Sequence, residues 1–157
     1  MEKIDLAKVL VKEACVLDHE PFSSKEEMFQ FMAKKFKEAG IITDEEQYIV
    51  SLEEREAVGS TYMGNLIGLP HGKSESVVKP GIGFCRCKEP FIYKSYGEEG
   101  QVKFVFMLAI AMDQGADNYM RVLATLAGLL THQEFLDILD QGTSYEEIME
   151  QIQTYEN

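Results

Sequence analysis

Val102–Ala111 reads VKFVFMLAIA, and this stretch decides the fold. Lys103 is its one polar residue, so the run lacks the apolar–polar alternation of a strand that faces water on one side. It reads as a strand buried on both faces. Such a strand needs helices above and below it, which makes the chain α/β. Working outward, Gly81–Arg86 follows a Pro-Gly pair and reads as a second strand. Glu13–Leu17 and Leu66–Leu69 read as shorter ones, and Glu89–Gly100 as a loop or hairpin. Downstream, Asn118–Leu130 carries Met120, Leu123, Ala127 and Leu130 at helical spacing.

The S/T-x-x-E pattern, in which a hydroxyl caps the first turn while the Glu reaches back, occurs at four places of interest. These are Ser24 with Glu27, Thr43 with Glu46, Thr131 with Glu134, and Thr143 with Glu146. The first opens a helix to about Ala39, with Met28, Phe31, Met32 and Phe36 on one face and Gly40 as its stop. The second carries Tyr48, Ile49 and Leu52 and runs into Arg55; the last two open short C-terminal helices. The expected architecture is a single α/β domain over residues 1–157. Its mixed, mostly parallel sheet is flanked by helices on both faces.

Length and composition agree with one globular domain: 157 residues, 45% hydrophobic, 27% charged. A net charge of −12 disfavours nucleic acid and anionic membranes and favours a partner with a basic face. A basic start followed by an apolar run is absent, as is any stretch of about 18 apolar residues. Cytoplasmic localisation is therefore expected, in line with an odd set of cysteines, Cys15, Cys85 and Cys87. Cys85 and Cys87 share one face of a strand, where plain packing is favoured over a metal site.

The chemistry concentrates in Arg55–Gly72, REAVGSTYMGNLIGLPHG. His71 stands between a rigid Pro70 and a permissive Gly72, in what reads as a loop opening at a strand end. An imidazole can act as a neutral nucleophile near neutral pH. His19, between two acids and before Pro21, reads as a solvated loop residue, and His132 as a surface residue at a helix start. Neither a P-loop nor a nucleophile elbow is present, so Ser60 and Thr61 read as hydrogen-bond donors in a loop. Arg55 carries the planar guanidinium that suits a phosphoryl group, but sequence alone does not bring it to His71.

The segment resembles the active-site signature of the enzyme IIA component of the bacterial phosphoenolpyruvate:sugar phosphotransferase system, fructose/mannitol type. Arg55, Glu56, Gly59, Ser60, Thr61, Asn65, Pro70, His71 and Gly72 match, while Gly68 stands where the family often has Ala. Lys25–Glu27, Lys88–Pro90 and Gly115–Leu130 (GADNYMRVLATLAGLL) extend the likeness over nearly the whole chain. The resemblance implies a phosphotransferase that takes a phosphoryl group from the carrier HPr on His71 and passes it to a cysteine of a sugar-specific IIB component. It implies Nε2 as the acceptor atom, Nδ1–H held by a backbone acceptor, Arg55 as phosphoryl stabiliser, and no cofactor, metal or ATP. Ser60, Thr61 and Asn65 would form the phosphate-binding loop. IIB and a membrane IIC are expected as separate chains, and substrate choice in the family resides in the membrane component, so no sugar is named. The family's second active-site histidine is replaced here by Tyr119, a neutral hydroxyl donor. That departure gives weight to an alternative, a regulatory IIA-like protein whose His71 phosphorylation state gates binding to a transporter, kinase or transcription factor.

Overall fold

The computed structural model describes residues 9–113 and 116–156, with only the backbone of 116–119 and 155–156. In chain order the elements are β1 (Leu10–His19), α1 (Lys25–Glu38), α2 (Glu45–Glu56), β2 (Tyr62–Gly64), β3 (Ile67–Gly68), β4 (His71–Ser74), β5 (Gly81–Ser95), β6 (Glu98–Ala111), α3 (Ala116–Leu129), α4 (Gln133–Gln141) and α5 (Tyr145–Glu156). The strands form one mixed sheet in the order β1-β5-β6-β3-β2, with β4 also on β6. Among the described strands, three of the five pairings are parallel and two antiparallel.

β6 earns its unbroken apolar run by serving two cores. Val105, Met107, Ala109 and Ala111 join one apolar layer, with Met28, Phe36, Tyr48 and Leu52 of α1 and α2. Phe104, Phe106 and Leu108 join the other, with Leu126, Phe135, Leu139 and Ile148 of α3–α5. The period-two alternation of strand side chains sorts them. Helices thus cover both faces, as expected. Among the described residues no single helix is long and apolar enough to cross a membrane.

Glu89–Gly100 resolves as a hairpin. Ser95 pairs with Glu98 around Tyr96 and Gly97, whose φ values of 50° and 79° match a tight two-residue turn. Cys85 and Cys87 face the α1–α2 layer, both fully buried; their mutual hydrogen bond and burial push the Cys85 thiol up. Burial also pushes Cys15, on the opposite layer, up to about 11.

The helix starts partly correct the capping pattern. Ser24 caps α1, accepting from Glu27 N, and α1 ends with Gly40 at φ 76°. The N–H groups of Gly40 and Ile41 there bond back to Lys37 and Phe36. Thr43 does not cap α2: Asp44 does, accepting from Gln47 N, because its carboxylate lies one residue nearer the first turn. Ser144 likewise takes the expected place of Thr143, accepting from Glu147 N while Thr143 bonds the Glu147 carboxylate. At α4 the capping position holds His132 without a side-chain cap bond, and Thr131 turns back to Gly128 O. His19 is also corrected. It ends β1 with its ring stacked on Phe22 at 4.4 Å, because Phe22 and Phe31 offer it an apolar shelf.

Candidate active site

His71 is not in a loop, as the sequence suggested, but is the first residue of β4. Pro70 has no N–H to pair, so β3 stops before it, and the chain re-pairs with β6 at His71↔Leu108. Pro70 O still accepts from Leu108 N at 3.0 Å, which fixes the entry to β4.

Gly72 decides what lies over the histidine. A Cβ there would come within 2.2 Å of Ser51 Oγ and 3.1 Å of Leu52 N, so only glycine lets α2 lie this close to β4. Ser51 and Arg55 are one turn apart on the same helix face. With Ser51 over Gly72, Arg55 falls over His71, and its Nε–H donates to His71 Nε2 at 3.0 Å. Nη1 of the same guanidinium donates to Gly59 O at 2.8 Å. The other ring nitrogen, Nδ1, lies 3.1 Å from Leu69 O. A carbonyl only accepts, so Nδ1 carries the proton and Nε2 the lone pair. Burial lowers the His71 pKa; the Leu69 bond and Glu56 oppose this and Arg55 adds to it, so the ring is neutral near pH 7.

Two depressions flank the ring. One, of about 300 Å³, is lined by Arg55, Ser60, Thr61 and His71 with Met63 and Met120. The other, of about 440 Å³, adds Glu54 and Lys73. Met63 and Met120 are 44% and 56% exposed, which gives the mouth an apolar rim.

Of the residues expected here, His71, Arg55, Ser60 and Thr61 come together. Ser60 Oγ accepts from Tyr62 N. Thr61 is buried, and its hydroxyl turns inward to the Glu56 carboxylate and Tyr93. Asn65 is not brought to His71. It sits at φ 51° in the β2–β3 turn and lines a separate depression with Lys103 and Asp137. Asparagine tolerates that left-handed conformation, which accounts for it without a phosphate. The Tyr119 side chain lies outside the described residues.

The sequence reading missed what lies beneath. Glu56, 7% exposed, accepts from Lys25 Nζ at 3.0 Å, Ser95 Oγ at 2.6 Å and Thr61 Oγ1 at 2.5 Å. Three donors around one carboxylate offset its desolvation. The available signal was Glu56 itself: next to Arg55 on a helix, it must point about 100° away, toward the core.

The family model described as "Phosphoenolpyruvate-dependent sugar phosphotransferase system, EIIA 2" matches residues 9–155. A mannitol-specific phosphotransferase enzyme IIA component of Bacillus subtilis is 32% identical, over 90% of this chain and 94% of its own length. A fructose-specific EIIA component of Haloferax volcanii is 26% identical, over 96% of both. Among solved structures, the Escherichia coli complex of enzyme IIAMtl and phosphorylated enzyme IIBMtl contains a chain with TM-score 0.71 and 23% identity. The match covers 90% of this chain and 95% of that one, and it supports the fold.

Proposed function

The chain belongs to the EIIA 2 family of phosphotransferases of the sugar phosphotransferase system, and from that premise we propose that it is a phosphocarrier with His71 as its acceptor. It takes a phosphoryl group from phospho-HPr and hands it to a cysteine of a sugar-specific IIB component, which works with a membrane IIC in the cytoplasm-facing uptake machinery. One observation carries the reading. Leu69 O holds Nδ1–H, which leaves the Nε2 lone pair beside a guanidinium at 3.0 Å.

The step needs no proton transfer at the ring. The Nε2 lone pair forms the N–P bond as the bond from phosphorus to the donor breaks, and that electron pair returns to the donor. Arg55 first covers the lone pair. As phosphorus arrives, its Nε–H turns from nitrogen to a phosphoryl oxygen while Nη1 stays anchored on Gly59 O. Positioning and charge stabilisation then supply the catalysis. Onward transfer runs in reverse, with the N–P electron pair returning to Nε2 as the thiolate attacks. The apolar rim of Met63 and Met120 suits docking by a protein rather than binding of a free sugar phosphate.

The test is intact mass after incubation with phosphoenolpyruvate, enzyme I and HPr. The wild type is expected to gain one acid-labile phosphoryl group and His71→Ala none. Equal gain by the variant would move the acceptor elsewhere.

A further inference from the structure

The buried network beneath the site has a direction that follows from counting protons. A carboxylate only accepts, so the single hydroxyl proton of Thr61 goes to Glu56 Oε2. Thr61 Oγ1 must then accept from Tyr93 Oη, 2.6 Å away. Burial and the nearby Glu56 charge raise the Tyr93 pKa, which keeps that phenol a donor. By the same count Ser95 Oγ gives its proton to Glu56 Oε1 and accepts from Thr61 N–H at 2.9 Å. Lys25, 9% exposed, supplies the counter-charge. Thr61 is thus gripped at its hydroxyl and at its amide, and both grips end on Glu56.

The third polar group of Thr61 leads to the site. Its carbonyl accepts from Leu69 N at 2.9 Å, and Leu69 O is the partner of His71 Nδ1. The 57–61 loop that Thr61 terminates also contains Gly59, whose carbonyl anchors Arg55. We propose that Glu56, acting through Thr61, is the positioning residue of the site. It fixes the Leu69 carbonyl that selects the His71 tautomer and the loop that aims Arg55. Tyr93 is part of the device, and Gly68 makes room for it: a Cβ at 68 would lie 3.1 Å from the Tyr93 ring.

The catalytic side of this inference rests on His71 being the phosphoryl acceptor; its structural side does not. The test therefore pairs two readouts on Thr61→Val, which keeps the shape and deletes the hydroxyl. Long-range ¹H–¹⁵N spectra of the histidine ring report the tautomer. Phosphoryl acceptance from phospho-HPr reports kcat and KM separately. In the wild type Nδ1 is protonated and Nε2 is not. In Thr61→Val that preference is lost in part, kcat falls about 10-fold to 100-fold, and KM for phospho-HPr stays within about twofold because the docking rim is untouched. Thr61→Ser, which restores the hydroxyl, recovers both readouts. Tyr93→Phe, which removes one oxygen and is the milder change should Thr61→Val fail to fold, shifts both in the same direction by less. A folded Thr61→Val or Tyr93→Phe protein with wild-type ring spectra and wild-type kcat would overturn the proposal. If the wild type accepts no phosphoryl group, the functional reading falls, and the ring spectra alone decide the positioning role.

Discussion

Two arginines of this chain each meet the backbone at a helix end, and they do opposite work. Arg86 projects from β5 into the α3–α5 side, 5% exposed. Its Nη1 donates to the carbonyls of Leu139, Asp140 and Gly142 at the end of α4, at 2.9, 3.2 and 2.6 Å. Nε and Nη2 close on Asp18. Each nitrogen of that guanidinium has a partner: it cancels the partial negative charge of a helix C-terminus and ties α4 to the sheet. Arg55, half-buried in the last turn of α2, gives Nη1 to one carbonyl and Nε to a histidine nitrogen that the proposed transfer requires to be vacated. In the proposed transfer its bond to His71 is exchanged for one to a phosphoryl oxygen. An arginine with all its nitrogens committed beside carbonyls builds architecture, whereas a partly committed one beside the proposed acceptor is free to take an anion.

The contrast breaks cleanly under substitution. Arg55→Ala should slow phosphoryl acceptance about 10²-fold to 10³-fold, the scale of losing a transition-state donor, with stability down by only about 1–2 kcal/mol, because water reaches the two part-buried acceptors, His71 Nε2 and Gly59 O, that the guanidinium leaves. Stopped mixing with phospho-HPr and a denaturant curve on the same preparation check both halves. Unchanged transfer would make Arg55 a second staple. Arg86→Leu should do the reverse. Stranding buried carbonyls costs about 3 kcal/mol, a fall in thermal midpoint of about 6–12 °C for a domain of this size. Transfer by the folded fraction should be near normal. A wild-type melting curve would remove its architectural role.

A smaller effect concerns pH. The His71 pKa is lowered in the folded chain relative to 6.5, by burial first. The neutral ring's contribution to stability is therefore complete above the unfolded value and is lost as pH falls through 6.5 toward the folded one. Between pH 7.5 and 5.5, wild-type stability should fall more than that of His71→Asn, measured by parallel urea titrations. Parallel loss in both would show that the ring is not held neutral.

The architecture was legible because it is local. Val102–Ala111 cannot avoid burial on both faces, and Ser24 and Gly40 bracket α1 by short-range rules. Capping failed by one residue at Thr43 and Thr143 because Asp44 and Ser144, equally able to accept, stand closer to the helix. His71 was legible from Pro70 and Gly72, but not as a strand residue, since its partner Leu108 is far along the chain. The Arg55–His71 contact was not legible, because it depends on α2 settling on β4 at Gly72, a fact of packing rather than spacing. Glu56 was visible only as a letter beside Arg55. Its donors Lys25 and Ser95 lie 31 and 39 residues away, beyond any local pattern.

In the proposed mechanism the ring of His71 attacks through Nε2 while Nδ1 keeps its proton. Nitrogen-15 spectra of the phosphorylated, histidine-labelled protein test it most directly. One phosphohistidine is expected, at residue 71, with phosphorus on Nε2 and hydrogen on Nδ1. Phosphorus on Nδ1, or on His19 or His132, would contradict it.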